Sequence, residues 1–485
     1  MTDRLPFEAP AGVRRAGLLL PVFSLARPGF GGDARRLLRF LERSGLSVWQ
    51  MLPLGPTHAD GSPYQCLSSF ALNPAFLDTH DLAADDGFTR EMPSERRRQG
   101  EGASKALRRA FEVFRQAERH WLVDYARFVA IKASQQGMDW RDWPAPLRDR
   151  EPAALVEFDR THAAAIEAIA FEQFLLDRQW QDLRTEAAAR GVRLFGDLPI
   201  FVAGDSADVW ANPQQFQLDE NGQPSVVAGV PPDYFSETGQ RWGNPLFDYE
   251  TMEADGFAWW KARFARHVTL YDWVRLDHFR GLEAYWEIDA ASDTATEGRW
   301  VEAPGEEILE ALRQAADGHL PLVAEDLGVI TPAVTALRDR YGLPGMKILQ
   351  FAFDGGDDNP YRPARHEPLS VVYTGTHDND TTLGWWNGLD ASQRERVRDV
   401  LADEQGIDPA TPMPDALVES ALASRANLAI VPVADFLGLG GEARINVPGT
   451  TEGNWHWRLP AEALDDALAD RLRGCLIAHD RLPGS

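Results

Sequence analysis

Eight short apolar runs, separated by helical or loop-rich segments, constrain the fold of this chain more than any other feature. Their length and composition are typical of buried β-strands. Strands that alternate with helices favour parallel pairing, and eight such units predict a (β/α)8 barrel of the α/β class with large inserted subdomains. We therefore expect residues 1–485 to form a single barrel domain. The predicted strands are Ala16–Leu20, Ser47–Leu52, Val192–Val202, Trp273–Leu276, Pro321–Gly328, Met346–Phe351, Ser370–Gly375 and Leu428–Val433.

Two long segments depart from the simple alternation and are predicted to be insertions. Residues 81–190 are charged and carry Trp, Phe and Leu at spacings of three and four, which predicts a helical insertion after the second strand. Residues 203–250 predict a loop-rich insertion after the third strand, and residues 229–245 within it have the Gly- and Pro-rich composition of a lid. Among the barrel helices, we expect Asp33 to cap a helix that ends at Gly45, and Thr331 to cap another.

Charge and cysteine content exclude several classes of protein. The formal net charge of −25 argues against nucleic acid or an anionic membrane as a partner and favours a neutral substrate. No run of 18 apolar residues occurs, so we expect no membrane span. The apolar run after Arg15 is broken by Pro21 and is interpreted as the first strand rather than as a signal peptide. Cys66 and Cys475 are the only cysteines, which favours a reducing, cytoplasmic location.

Four acidic residues fall at the ends of predicted strands. Asp197, Asp277, Glu325 and Asp378 lie at or just beyond the ends of the third, fourth, fifth and seventh strands. The carboxyl ends of barrel strands converge on one face, where the active sites of such barrels are built, so we expect these acids in one site. They fit glycosyl transfer, which needs a carboxylate nucleophile, a protonated acid and negative charge beside an oxocarbenium-like transition state. The 16 Trp agree with a carbohydrate site, because sugar rings stack on aromatic faces.

Neighbouring charges are expected to set the ionisation of two of these acids. Arg275 lies two residues before Asp277, so both side chains project from the same face of the strand and the guanidinium keeps the carboxylate ionised. Asp326 follows Glu325, and a like charge together with burial is expected to raise the pKa of Glu325. Taken alone, residues 275–277 also fit a buried ion pair that closes a strand.

Seven segments, in order along the chain, resemble the 4-α-glucanotransferases of the amylomaltase, or disproportionating-enzyme, family in the α-amylase superfamily. These segments are GSPYQCLSSFALNP, GDLPIFVAGDSADVW, GVPPDYFSETGQRWGNP, VRLDHFRG, AEDLG, THDND and GNWHWR, within residues 61–458. The resemblance implies that Asp277 is the nucleophile, Glu325 the acid/base and Asp378 the stabiliser of the transition state. The substrate-binding residues that it implies are Ser62, Tyr64, Asp197, Arg275 and His377, with Trp242 on the acceptor side and Phe235 and Gln240 in the covering loop.

The activity implied by this resemblance is transfer of a segment of a 1,4-α-D-glucan to the 4-hydroxyl of an acceptor, by a retaining double displacement. Its substrates would be maltooligosaccharides and glucans derived from starch or glycogen, with glucose as an acceptor and with no cofactor and no metal. A plain α-glucan hydrolase would use the same acids and is the main alternative. A metal-dependent barrel enzyme is disfavoured because Arg275 competes with a cation. A catalytically inactive glycan-binding protein would normally have lost the acids.

Overall fold

The computed structural model describes residues 14–89, 92–232, 237–450 and 452–482, and within these ranges the strands form two sheets. The larger sheet is a parallel barrel of β1 Arg15–Leu19, β2 Val48–Gln50, β3 Arg193–Leu198, β6 Trp273–Leu276, β9 Leu322–Ala324, β10 Gly345–Ile348, β11 Ser370–Tyr373 and β12 Leu428–Pro432. The smaller sheet contains β4 Val226–Val230, β5 Gln240–Pro245, β7 Ala284–Asp289 and β8 Arg299–Glu302. Each predicted barrel strand is present, which confirms the predicted (β/α)8 fold.

The barrel is nearly closed and its interior is packed. Its strands pair in the order β10–β11–β12–β1–β2–β3–β6–β9, and the backbone N–H of Ala324 in β9 donates to the carbonyl of Pro344, next to β10, at 2.9 Å. Side chains alternate along each strand, as a pleated backbone requires. In β1, for example, Leu19 belongs to the cluster inside the barrel and Leu18 to the cluster beneath the helices. The inner cluster comprises Leu19, Val48, Leu52, Phe195, Trp273, Val323, Met346, Ile348, Val371, Tyr373, Leu428 and Ile430.

Helices surround the barrel and also fill the long segment between β2 and β3. They are α1 Gly32–Ser44, α2 Thr79–Ala84, α3 Ser94–Arg98, α4 Lys105–Ala117, α5 Arg119–Ser134, α6 Ala145–Arg148, α7 Pro152–Ala189, α8 Ala207–Ala211, α9 Tyr249–Ala254, α10 Ala258–Leu270, α11 Gly305–Ala315, α12 Pro332–Arg340, α13 Thr382–Gly388, α14 Ala391–Gln405, α15 Asp415–Ala423, α16 Val433–Phe436 and α17 Asp466–Ala478. Helix α7 packs against α5 and also against α1 and β3, so it joins the segment between β2 and β3 to the barrel. None of the helices in the described ranges is both long enough and apolar enough to span a membrane.

Two predicted helix caps are confirmed and one is wrong. Gly45 ends α1 in the left-handed conformation with a φ of 82°, and the hydroxyl of Thr331 accepts a hydrogen bond from the first turn of α12 at 3.4 Å. Asp33, the predicted N-cap of α1, lies inside the first turn, and the N-cap is Gly31. The Asp33 carboxylate accepts a hydrogen bond from the backbone N–H of Arg27 at 2.9 Å instead. It therefore orders the preceding loop while its charge favours the positive end of the helix dipole.

The antiparallel sheet, in the order β5–β4–β7–β8, was not predicted from the sequence. The segment predicted as loop-rich, residues 203–250, contributes β4 and β5, and the residues after barrel strand β6 contribute β7 and β8. Gly229 in β4 lies so close to the main chain of Gln240 in β5 that a side chain at this position would collide with the Gln240 carbonyl. This glycine permits close contact between two strands, whereas the sequence pattern attributed it to an irregular loop.

Candidate active site

The carboxyl ends of four barrel strands bring the four predicted acids to one face of the barrel. Asp197 lies in β3, Asp277 and Glu325 directly follow β6 and β9, and Asp378 lies in the loop after β11. Hydrogen bonds and ring contacts among these residues and their neighbours form one connected set. The convergence expected from the strand ends is therefore present in the folded chain.

Arg275 lies between two carboxylates. Its Nη1 donates to Asp197 Oδ2 at 2.7 Å, and its Nη2 donates to Asp277 Oδ1 at 2.6 Å. The register of β3 and β6 places Asp197 directly beside Arg275, and the alternation of strand side chains places Asp277 on the same face. Arg275 is 5% exposed and Asp197 is fully buried, so water screens these interactions poorly. The guanidinium therefore fixes the orientation of the more exposed Asp277 carboxylate from below.

Tyr64, in the loop after β2, joins the same cluster. Its hydroxyl donates to Asp197 Oδ2 at 2.7 Å. Burial raises the pKa of Asp197 to about 7, while Arg275 and the hydrogen bond from Tyr64 oppose that increase. Because Asp197 is buried beneath both partners, its role in this geometry is to hold the phenol and the guanidinium at the floor of the site.

Glu325 occupies an environment that favours the protonated carboxyl. Its side chain accepts hydrogen bonds from the backbone N–H groups of His278 at 2.7 Å and Leu327 at 3.2 Å. Burial, the largest effect, raises the pKa of Glu325 to about 8, and the charges of Asp277 and Asp326 act in the same direction, while the charge of Arg275 and the hydrogen bond from His278 oppose the increase. Glu325 is therefore mostly protonated at neutral pH, which is the state that a general acid requires. The expected effect of Asp326 is present but is smaller than that of burial.

His278 connects the nucleophile candidate to the acid candidate. It follows Asp277 directly and adopts the left-handed conformation with a φ of 51°, which is uncommon for a residue other than glycine. This turn directs its backbone N–H to Glu325 and its ring to the wall formed by β5. There Trp242 meets the imidazole perpendicularly, with ring centroids 4.8 Å apart. Trp242, the predicted acceptor-side aromatic, thus contacts the residue that directly follows Asp277.

His377 forms an aromatic wall on another side of the site. Its ring stacks on Tyr64, with centroids 5.3 Å apart and an interplanar angle of 15°. Trp455, from the GNWHWR segment, lies 6.0 Å from Tyr64 and 6.2 Å from His377 between ring centroids. Burial lowers the pKa of His377, so the imidazole is neutral at pH 7 and can act as a hydrogen-bond donor or acceptor to a sugar.

Asp378 is the most exposed of the four acids, with 44% of its side chain accessible. Its Oδ1 lies 3.4 Å from His377 Nε2 and accepts a hydrogen bond from Asn446 Nδ2 at 2.6 Å. Arg444 Nη2 donates to the backbone carbonyl of Asp378 at 2.9 Å. Sequence reasoning missed Asn446 and Arg444 and gave Trp455 no role. The sequence feature that could have located them is the GNWHWR segment, which belongs to the same loop as Arg444 and Asn446.

The remaining predicted residues contact the site less directly. Ser62 Oγ accepts a hydrogen bond from the backbone N–H of Tyr64 at 3.4 Å, so its contact is within its own turn. Gln240 Oε1 accepts a hydrogen bond from Trp242 Nε1 at 3.2 Å, which orients the indole. Phe235 lies outside the described residues.

The donor geometry does not support the metal-dependent alternative. Within the described ranges, the group of three or more His, Cys, Asp or Glu whose ligand atoms all lie within 4.8 Å of one another is Asp78, His80 and Asp81. The acids at the barrel face do not form such a group, and Asp277 is already paired with Arg275. A carboxylate that neutralises a guanidinium is a poor choice for holding Mg²⁺.

Comparison with known proteins assigns the family. The model of glycoside hydrolase family 77, described as 4-alpha-glucanotransferase, matches residues 20–102 and 90–464. The chain is 48% identical over 498 residues to the 4-alpha-glucanotransferase of Thermus thermophilus, covering 97% of this chain and 99% of that protein. It is 44% identical over 496 residues to that of Synechocystis, covering 95% of this chain and 96% of that protein.

A solved structure shares the fold along almost the entire chain. The amylomaltase from Streptococcus agalactiae in complex with acarbose superposes with a TM-score of 0.90 and is 31% identical, covering 97% of this chain and 100% of that one. These matches confirm the resemblance found in the seven sequence segments. The chain therefore belongs to the 4-alpha-glucanotransferase family, glycoside hydrolase family 77, and is an enzyme of that activity.

Proposed function

We propose that the enzyme uses a retaining double displacement in which Asp277 is the nucleophile, Glu325 the acid/base and Asp378 the stabiliser of the transition state. First, Asp277 attacks the anomeric carbon while Glu325 protonates the glycosidic oxygen, which gives a glycosyl ester and releases the reducing-end fragment. Glu325 then removes a proton from the 4-hydroxyl of the acceptor. That oxygen attacks the same carbon and displaces Asp277, so two inversions retain the α configuration.

The single observation that carries this proposal is that two neighbouring carboxyls lie in different electrostatic environments. Arg275 engages Asp277 in an ion pair at 2.6 Å, whereas burial raises the pKa of Glu325 to about 8. A carboxylate oriented by a guanidinium, beside a carboxyl whose burial favours the proton, fits a nucleophile and acid pair. For a retaining pair, we expect the carboxyl groups to lie ~5 to 5.5 Å apart.

We propose that the donor glucose lies among Tyr64, Asp197, Arg275 and His377. The stacked pair of Tyr64 and His377 offers aromatic surface, and Asp197 with Arg275 supports it from below. The substrates are α-1,4-glucans: maltooligosaccharides and glucans derived from starch or glycogen, with glucose as an acceptor. The related Streptococcus agalactiae protein was solved with acarbose, which agrees with a saccharide ligand.

The acceptor side distinguishes this enzyme from a plain α-glucan hydrolase. We assign it to Trp242, with Gln240, Ser62 and Phe235 as further contacts to substrate. Trp242 packs on His278, next to the nucleophile, and is held by Gln240. An apolar wall at this position excludes water from the glycosyl ester while giving an incoming sugar a face on which to stack. Residues 229–245 act as the lid in this proposal.

Incubation with maltotriose as the only substrate tests the proposal. We expect free glucose together with a ladder of longer maltooligosaccharides, separated by size, without added cofactor or metal. The control is the Asp277→Asn variant, which has a side chain of nearly the same shape but lacks the nucleophile. A mixture of glucose and maltose alone would instead support the hydrolase.

We also propose that the enzyme works in a reducing, cytoplasmic compartment. Cys66 and Cys475 are both free thiols, and burial raises the pKa of Cys66 to about 12. A cytoplasmic location would give access to intracellular glucans. Fractionation of the source cells with a specific antibody would test this location.

A further inference from the structure

The loop that contains Arg444 and Asn446, described over residues 444–450 and 452–458, contacts Asp378 at both its side chain and its main chain. Asn446 Nδ2 donates to the carboxylate Oδ1 at 2.6 Å, and Arg444 Nη2 donates to the backbone carbonyl at 2.9 Å. The two loop residues are themselves connected, because Arg444 Nε donates to the backbone carbonyl of Asn446 at 2.8 Å. Arg444 and Asn446 are therefore bonded to each other and together contact Asp378 at two points.

We propose that Asn446 is a positioning residue that holds the carboxylate of Asp378 in its working orientation. This inference rests on the proposed role of Asp378 as stabiliser of the transition state. Asp378 is nearly half exposed, so packing alone does not fix its carboxylate. In the described part of the chain, its side-chain contacts with Asn446 and His377 both involve Oδ1. The amide therefore engages one oxygen and directs the other towards the sugar.

The rest of the loop is built to keep Asn446 in place. Asn454 Oδ1 accepts a hydrogen bond from the backbone N–H of Val447 at 2.9 Å, and its Nδ2 donates to the carbonyl of Thr450 at 2.9 Å. Trp455 donates its backbone N–H to the carbonyl of Ile445 at 2.8 Å. Trp455 also adopts the left-handed conformation, with a φ of 66°, a geometry that costs free energy for a residue with a Cβ atom. Hydrogen bonds within the loop therefore hold its shape.

Two substitutions of Asn446 test the proposal. Asn446→Ala removes the donor, and we expect kcat to fall about 10-fold or more with little change in KM, because the interaction matters in the transition state. Asn446→Asp places a second carboxyl at hydrogen-bond distance from Asp378. At pH 8 the two charges repel, and we expect a loss of about 100-fold. As the pH falls to 5, the pair takes up one shared proton. The neutral carboxyl then donates to Asp378 as the amide did.

The diagnostic quantity is the kcat of each variant divided by the wild-type kcat at the same pH. We expect this ratio to rise about 10-fold for Asn446→Asp between pH 8 and pH 5 and to stay level for Asn446→Ala. The other charged or titratable groups near Asp378 are common to all variants and cancel in the ratio: Tyr64, Arg275, Asp277, His377 and Arg444. A purely structural defect would not recover on acidification.

Asn454→Ala is the matched control. It loosens the loop that holds Asn446 without removing a contact to Asp378, so we expect a lower melting temperature and a smaller decrease in kcat than for Asn446→Ala, with a ratio that stays level with pH. The inference is overturned if Asn446→Ala keeps kcat within twofold of the wild type. It is equally overturned if the Asn446→Asp ratio is independent of pH, or if Asn454→Ala reproduces the loss. Asp378→Asn tests the proposed function separately, because a fully active variant would show that Asp378 does not stabilise the transition state.

Discussion

Replacing Glu325 by Gln removes the proposed general acid with little change in shape. With the pKa of Glu325 at about 8, roughly 90% of this carboxyl is protonated at pH 7 and roughly 10% at pH 9. We therefore expect wild-type kcat/KM with maltotriose to fall about tenfold over this range, because kcat/KM follows ionisation in the free enzyme. Loss of the acid should lower kcat/KM on maltotriose by about 10² to 10⁴ at pH 7.

An α-glucosyl fluoride isolates the role of this proton. Fluoride leaves without protonation, so Glu325→Gln should form the glycosyl ester from this substrate at a rate near the wild type, and its kcat/KM should be independent of pH between 7 and 9. Fluoride release measured with an ion-selective electrode gives both values. The assignment of Glu325 is refuted if this variant is as inactive on the fluoride as Asp277→Asn. It is also refuted if the tenfold decrease towards alkaline pH persists in the variant.

Three further outcomes follow from the site. Asp277→Asn should form no product from maltotriose or from the fluoride, and residual turnover above about 1% of the wild type would exclude Asp277 as nucleophile. Trp242→Ala should raise the ratio of reducing ends released to bonds transferred. An unchanged ratio would show that Trp242 does not favour transfer over hydrolysis. Glu325→Gln should also stabilise the fold at neutral pH. The pKa of Glu325 is higher in the folded chain than its ordinary 4.5, so ionisation costs stability progressively from pH 4.5 to pH 8. The gain should be at most about 3 kcal/mol at pH 7 and absent at pH 4.5 in urea denaturation, and a gain that grows towards acid pH would contradict this sign.

The parts of the structure that depend on local pattern were predictable from the sequence. Barrel strands appear as short apolar runs, and any closed parallel barrel brings the residues at their carboxyl ends together, which located Asp277 and Glu325. The antiparallel sheet was not predictable in this way, because β4 finds its partner β7 beyond an intervening barrel strand. The contact between Asn446 and Asp378 joins residues 68 positions apart, and no spacing rule connects them. Local periodicity reveals elements, whereas such contacts arise only when the elements assemble.

The proximity of Asp277 and Glu325 has a consequence for the timing of the catalytic cycle. In the resting enzyme, the negative charge of Asp277 is one of the causes that raise the pKa of Glu325. In the proposed double displacement, attack on the glucan converts Asp277 into an uncharged ester, so this contribution disappears when Glu325 has given up its proton. The pKa of Glu325 then falls, so this side chain stays a carboxylate and is free to accept the proton of the incoming 4-hydroxyl. When the transferred glucan departs, the charge on Asp277 returns and the pKa of Glu325 rises again. Bond formation at one carboxyl thereby sets the direction of proton movement at the other.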